Sequence, residues 1–345
     1  MIKHHMTRSL LLITSSLYLL GQNQCGSISI PISNQINNNL TVPNASKLSI
    51  ATRDGLSSMF SSERFSLGSF LNIDMSPATK SSTPLKCGQR FRSHNDRIVG
   101  GYVATITHFP WMISLQREKG NWYGLKAFYH SCGGSLITPS WIVTAAHCLY
   151  NRDEPLRAIA GTDNLNFMYR AQIRDISKQI IHPKFDITTY DNDIALIKVN
   201  HPFNLESSFS HVGTICLSPD VQILPYDIAT ICGFGSRAFH AKTRSHLYET
   251  QIAIIDRKTC NRSFEGAITR NMICAGGMIA NKRDACSGDS GGPLTLDTDD
   301  GRTVLAGIVS FGQDCARAHY PGIYTNTKVY YDWILSNLDE PLEKI

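Results

Sequence analysis

The sequence predicts an all-β fold, a barrel or sandwich, for most of its length, on three observations. Short β-branched and aromatic runs alternate with Gly, Pro, Asn and Asp turns from Ile98 onward. The runs recur at near-regular intervals, the pattern of many short antiparallel strands. Only the tail, Val329 to Leu338, carries the apolar spacing of an amphipathic helix.

The elements follow in chain order. Lys3 and Arg8 precede the apolar run Leu10 to Leu20, after which the sequence turns polar. A basic start and a short apolar run form a secretory leader pattern, expected to span residues 1–21. The run is too short to cross a bilayer as a helix, and no later segment approaches that length. Export and an extracellular location are therefore expected. Residues 22–97 are rich in Ser and Asn, as in Asn37-Asn-Asn39 and Ser81-Ser-Thr-Pro84, with little periodic apolar pattern. They read as a flexible pro-segment and not as a second folded domain. Residues 98–345 form the expected folded domain. Its predicted strands include Trp111–Leu115, Ser135–Ile137, Ile194–Val199, Gln251–Ile255 and Val304–Val309.

Composition narrows the function classes. The chain has 345 residues, 42% hydrophobic and 18% charged, with a formal charge of +5. No basic stripe concentrates that surplus, which argues against nucleic acid as a partner. Ten cysteines in an exported chain are expected to pair, and none is arranged as C-x-x-C or with His at zinc-finger intervals. No metal or other cofactor is expected. Asn39, Asn44 and Asn261 stand in N-x-S/T sequons compatible with glycosylation.

Three islands carry chemistry. Thr144-Ala-Ala-His147-Cys148 supplies an imidazole, and Asp191-Asn-Asp193 leads a pair of carboxylates into an apolar run. Gly288-Asp289-Ser290-Gly291-Gly292-Pro293 places a hydroxyl among glycines, which exposes a nucleophile and frees backbone N–H groups around it. Singly they read as a surface or core histidine, a solvated turn and a tight glycine turn. Together they supply the nucleophile, base and orienting carboxylate that acyl transfer needs. His147 would take the Ser290 proton and Asp193 would hold the imidazole. The N–H groups of Gly288 and Ser290 would bind the oxyanion, each worth roughly 3 kcal/mol. Gly288-x-Ser290-x-Gly292 also fits the elbow of α/β-hydrolases. That fold places its acid and histidine after the serine, whereas His147 and Asp193 precede it here.

From residue 98 to about 340 the chain resembles the chymotrypsin/trypsin family of serine endopeptidases. The matching blocks are Arg97-Ile-Val-Gly-Gly101, Cys132-Gly-Gly-Ser135, Thr144-Ala-Ala-His-Cys148, Asp193-Ile-Ala-Leu196, Gly288-Asp-Ser-Gly-Gly-Pro293 and Ser310-Phe-Gly312, in the family's order. The resemblance implies two six-stranded antiparallel β-barrels with a C-terminal helix and a site in the cleft between the barrels. It implies that His147, Asp193 and Ser290 are catalytic and that Ser310 supports Asp193 and lines the substrate's main chain. It also implies that Asp284 sits at the base of the primary specificity pocket. Gly312 and Gly322 would be the small wall positions that let an Arg or Lys side chain reach it.

The same resemblance makes Arg97-Ile98 an activation junction. Cleavage by an activating protease would free the Ile98 amine to pair with buried Asp289, ordering the pocket and oxyanion hole. It implies the disulfides Cys87–Cys216, Cys132–Cys148, Cys260–Cys274 and Cys286–Cys315, the first keeping the pro-segment attached as a light chain. Cys25 and Cys232 are left over: either they pair, or Cys232 is a free, buried thiol. Phe311 replaces the commoner Trp, which should alter subsites beyond the primary pocket. Gln116 to Ser131, with Trp122, Tyr123, Phe128 and Tyr129, reads as a long aromatic surface loop, either merely variable or a contact for macromolecular substrates or inhibitors. The family's calcium loop would lie near Gly161-Thr-Asp-Asn164, where an acidic ligand pair is not evident, so no calcium requirement is expected. Expected partners are protein or peptide substrates, the activating protease and macromolecular inhibitors. The competing reading is a catalytically silent, protease-like binding or regulatory module.

Overall fold

The computed structural model describes residues 86–91, 102–120, 126–207, 211–236, 243–277, 285–312 and 319–343. The leader, most of the pro-segment, Arg97 and Ile98 lie outside them.

Six strands close a first barrel: β2 (Met112–Lys119), β3 (Ala127–Leu136), β4 (Trp141–Thr144), β5 (Leu156–Ala160), β6 (Gln172–Ile181) and β7 (Ala195–Val199). Its order is β2-β3-β4-β7-β6-β5, with these neighbours antiparallel. The second barrel holds β8 (Ile228–Gly233), β9 (Tyr248–Ile255), β10 (Met272–Ala275), β11 (Pro293–Asp297), β12 (Thr303–Phe311) and β13 (Gly322–Asn326). It runs β9-β10-β13-β12-β11-β8 and closes through the β8–β9 ladder, while the two-residue β1 (Tyr102–Val103) adds to β9 outside the ring. The expected pair of six-stranded antiparallel barrels is therefore present.

Closure removes the exposed sheet edges that would otherwise invite pairing with another chain. Inward-facing side chains fill both barrels, and one cluster runs between them, with Cys232, Leu305 and Ile308 of the second barrel packed among the side chains of the first. Trp111, Met112, Ile113, Leu115, Trp141 and Ile142 anchor one cluster. Ile231, Ile252, Leu294, Val304, Ala306 and Tyr324 fill another. Burying each large apolar side chain contributes roughly 1.5–3 kcal/mol.

Two sequence expectations need correction. The tail helix is shorter than expected, α2 (Tyr331–Asn337) behind a 3-10 turn at Thr327–Tyr330, and it is not the only helix. A second, α1 (Arg257–Ser263), starts at Asp256, whose carboxylate accepts from the Thr259 N–H, and is pinned to β10 by Cys260–Cys274. One N-cap carboxylate satisfies a donor the first turn leaves open. The described parts of Gln116 to Ser131 are not loop. β2 and β3 continue as a hairpin with Gln116 opposite His130 and Lys119 opposite Ala127. Phe128 is held there under the Arg157 guanidinium, 3.7 Å from the ring centre. Trp122 and Tyr123 lie outside the described residues.

Candidate active site

The first barrel supplies His147 and Asp193, each just outside a strand that fixes it. β4 runs into Ala145 and a 3-10 turn at Ala146–Cys148, presenting His147 where the chain turns away. The Cys132–Cys148 disulfide holds that turn to β3. Asp193 stands two residues before β7 and is 0% exposed. Its Oδ2 accepts from His147 Nδ1 at 2.7 Å and from Ser310 Oγ at 2.5 Å, and its Oδ1 accepts from the His147 N–H at 2.9 Å. A buried carboxylate is tolerated only when its lone pairs are met by donors, and this one meets three. The pairing also fixes the imidazole: Nδ1 carries the proton, so Nε2 is left as the basic nitrogen.

The second barrel supplies the other wall. Ser290 stands three residues before β11, and its carbonyl accepts from the Gly133 N–H at 2.7 Å, tying it to the first barrel. Gly288 has φ +96°, and a Cβ there would lie 2.7 Å from Thr243 Cγ2, so glycine is required on both counts. His147, Tyr190, Ser287, Ser290, Ser310, Phe311, Gly312 and Gly322 line one cleft of about 290 Å³. The sequence-selected residues are thus brought together, apart from Asp289, which faces the other way, and Asp284, Arg97 and Ile98, which lie outside the described residues.

Asp289 turns away from the cleft into the second barrel. Its Oδ1 accepts from the Gly235 N–H at 2.8 Å and Oδ2 from the Cys286 N–H at 2.9 Å. The close approach depends on Gly235, where a Cβ would meet the carboxylate at 2.3 Å. Burial pushes the Asp289 carboxyl up to about 6, against the two backbone donors and the Arg244 charge, which lower it.

His130, Tyr190 and Phe264 escaped sequence reasoning. His130 is buried in β3 and its Nε2 lies 2.8 Å from the Gly288 carbonyl. A carbonyl only accepts, so Nε2 carries the proton and Nδ1 accepts from Ser114 Oγ, also at 2.8 Å. Burial pushes the His130 pKa down to about 4, outweighing the Gly288 bond, so the ring is neutral near pH 7. Tyr190 packs edge-on against His147 at 5.5 Å and leans on Phe311 at 5.3 Å. Phe264, just past α1, meets Phe311 and Tyr320.

Three expected disulfides are formed: Cys87–Cys216, Cys132–Cys148 and Cys260–Cys274. Cys286 is disulfide-bonded, and its expected partner Cys315 lies outside the described residues. Cys232 is a free, buried thiol against Met112 Sδ at 3.8 Å. Burial, then Glu249 and Asp289, push its pKa up, which keeps it an unreactive thiol.

Two antiparallel barrels with a serine, a histidine and a buried aspartate converging on their cleft define a serine hydrolase of the trypsin type. The Trypsin family matches residues 98–334, and the chain belongs to that family of serine endopeptidases. It is 36% identical over 249 residues to a trypsin of Phaedon cochleariae, covering 70% of this chain and 88% of that protein. It is 36% identical over 264 residues to serine protease filzig of Drosophila melanogaster, covering 74% of this chain but 15% of that protein. Transmembrane protease serine 11E of Mus musculus is 37% identical over 247 residues, 70% of this chain and 54% of its own. The chain thus spans nearly all of one relative and only part of the other two. No helix among the described residues is long and apolar enough to cross a membrane.

Proposed function

We propose that this is an exported endopeptidase, made as a precursor and activated by cleavage after Arg97, that cuts peptide bonds after Arg or Lys. The observation that carries the catalytic assignment is the single buried carboxylate of Asp193 receiving His147 and Ser310 beside Ser290. In this reading Ser290 Oγ attacks the scissile carbonyl while His147 Nε2 takes its proton. The imidazolium formed is stabilised by Asp193 and returns the proton to the leaving amine. The N–H groups of Gly288 and Ser290 receive the oxyanion. Water then repeats the sequence on the acyl-enzyme.

Asp284 gives the specificity. A carboxylate at the end of a narrow slot, past the small positions Gly312 and Gly322, rewards a guanidinium or ammonium group. Activation rests on Asp289: a largely desolvated carboxylate with a raised pKa is the partner a new Ile98 amine would satisfy. Cys87–Cys216 would then keep the cut pro-segment attached.

The test is kcat/KM on matched peptides with Arg, Lys, Phe or Leu before the cut bond, using chain cleaved after Arg97. Arg and Lys should be preferred, and Ser290→Ala should lower turnover by on the order of 10⁶-fold. Preference for Phe or Leu would remove the Asp284 assignment. Chain carrying Arg97→Gln should stay nearly inactive in the presence of trypsin-like activators. No turnover, and no fluorophosphonate labelling of verified cleaved chain, would leave the silent-module reading.

A further inference from the structure

On the second barrel, a groove of about 470 Å³ lies between β11 and the segment leading into β8. Its floor is apolar, with Val221, Leu296 and Val304, and its rim carries Asp220, Asp227, Asp297 and Asp299. Two nearby cations already have partners. Lys328 Nζ donates to the Val221 carbonyl, and Arg302 pairs with Asp300. One rim carboxylate is met by a cation from a specific place: Arg90 Nη2 donates to Asp297 Oδ1 at 2.8 Å.

Arg90 belongs to the short described stretch 86–91, which is already fastened beside this groove. Cys87 is bonded to Cys216, and Cys216 bridges Val304 of the groove floor. Gly88 donates to the Thr214 carbonyl and accepts from the Thr303 N–H. The residues just before it, Pro77-Ala-Thr-Lys80-Ser-Ser-Thr-Pro-Leu-Lys86, carry two lysines and no acid, with Leu85 between prolyl and lysyl neighbours. Nine extended residues, 77–85, span up to about 30 Å, ample for a groove whose floor touches the tether. Strand pairing or a basic outside partner would need no such tether.

We propose that this groove seats the chain's own residues 77–86, with Lys80 and Lys86 meeting the carboxylates Arg90 leaves free and Leu85 covering the apolar floor. The docking would continue the contact that stretch 86–91 makes, on a face independent of the Ser290 cleft and of the catalytic reading. It would hold the pro-segment against the second barrel by more than one disulfide.

The test uses the full chain carrying Ser290→Ala, so that it cannot cut itself, and an added lysine-specific endopeptidase. The readout is the rate of cleavage after Lys80. Against the parent, Asp220→Asn with Asp299→Asn should accelerate it about threefold to tenfold, the scale of two surface ion pairs. The parent itself should accelerate similarly at about 1 M salt, where charges are screened beyond about 3 Å. Amide exchange across 77–86 should quicken in the same two cases, a readout that needs no cleavage. Equal rates in all samples would overturn the proposal, as would equal acceleration by Asp153→Asn far from the groove. Protection that grows with protein concentration would assign the groove to a second copy. An unprotected segment beside capture of a lysine-rich peptide would assign it to an outside partner.

Discussion

At the residue scale, the two aspartates of the site are held in opposite ways. Asp193 has its donors in side chains and backbone of both barrels, and the Thr325 hydroxyl donates to its carbonyl at 2.7 Å as well. Asp289 has two backbone donors and a raised pKa. The sign of its linkage to stability follows. Its folded pKa of about 6 lies above the model-compound value of 3.8, so the native state favours the protonated form. Stability is fully present below about pH 4 and falls as pH rises towards 6, above which the loss is complete. A shift of about two units corresponds to about 3 kcal/mol. Uncut Ser290→Ala chain should therefore lose stability by up to that amount between about pH 4 and 7. Asp289→Asn should flatten this part of the profile, whatever its effect at any one pH. Denaturant melts of both chains across the range check it, and identical slopes would remove Asp289 as the cause.

At the element scale, the extended β2–β3 hairpin does more than enclose the first barrel. It carries His130 to the Gly288 carbonyl, and so anchors the residue whose own N–H, one peptide earlier, is a proposed oxyanion donor. His130→Phe keeps a ring of similar reach but removes the Nε2 donor. It should lower kcat about tenfold, the effect of one hydrogen bond of about 1.4 kcal/mol, with KM little changed. A change confined to KM would show that His130 acts on substrate binding instead. This hairpin also marks where the sequence was least legible. His130 sits in an aromatic stretch with no alternation to mark a strand, and a lone histidine there carries no signal of a partner 158 residues away. Tyr190 was hidden differently: its φ of +56° is unusual for a tyrosine, and the Asp191-Asn192 turn after it reads as solvated. α1 spans only two turns, and a lone Asp256 cap before it is too weak a signal to mark a helix. By contrast, β7, β9 and β12 lie in apolar runs that pattern alone reveals, and His147, Asp193 and Ser290 lie in compact motifs whose order excludes the rival elbow fold.

At the scale of the whole molecule, the site depends on two barrels meeting in register. Polar contacts near Asp193 set that register. Asp191 Oδ1 accepts from Thr269 Oγ1 at 2.8 Å and Asn271 Nδ2 at 3.0 Å, both beside β10, while Tyr330 donates to Asn192 at 3.0 Å. Ser310 and Thr325, on β12 and β13, hold Asp193 itself. The turn 191–193, part of the first barrel's chain, is thus gripped from the second. Because the apolar core shared by the barrels does not rest on these hydrogen bonds, loosening the grip should tilt the turn more than it unfolds the protein. Asp191→Ala removes the acceptor for two donors, and hydrogen bonds to a charged group are worth about 1.5–3 kcal/mol each at most. The expected result is a loss of kcat of about tenfold, with fluorophosphonate labelling slowed in parallel and a Tm lowered by only a few degrees. Asp191→Asn retains an acceptor and should recover much of the rate. If instead Tm collapses while the remaining folded enzyme labels at the parent rate, the clamp serves stability and the catalytic register is set elsewhere.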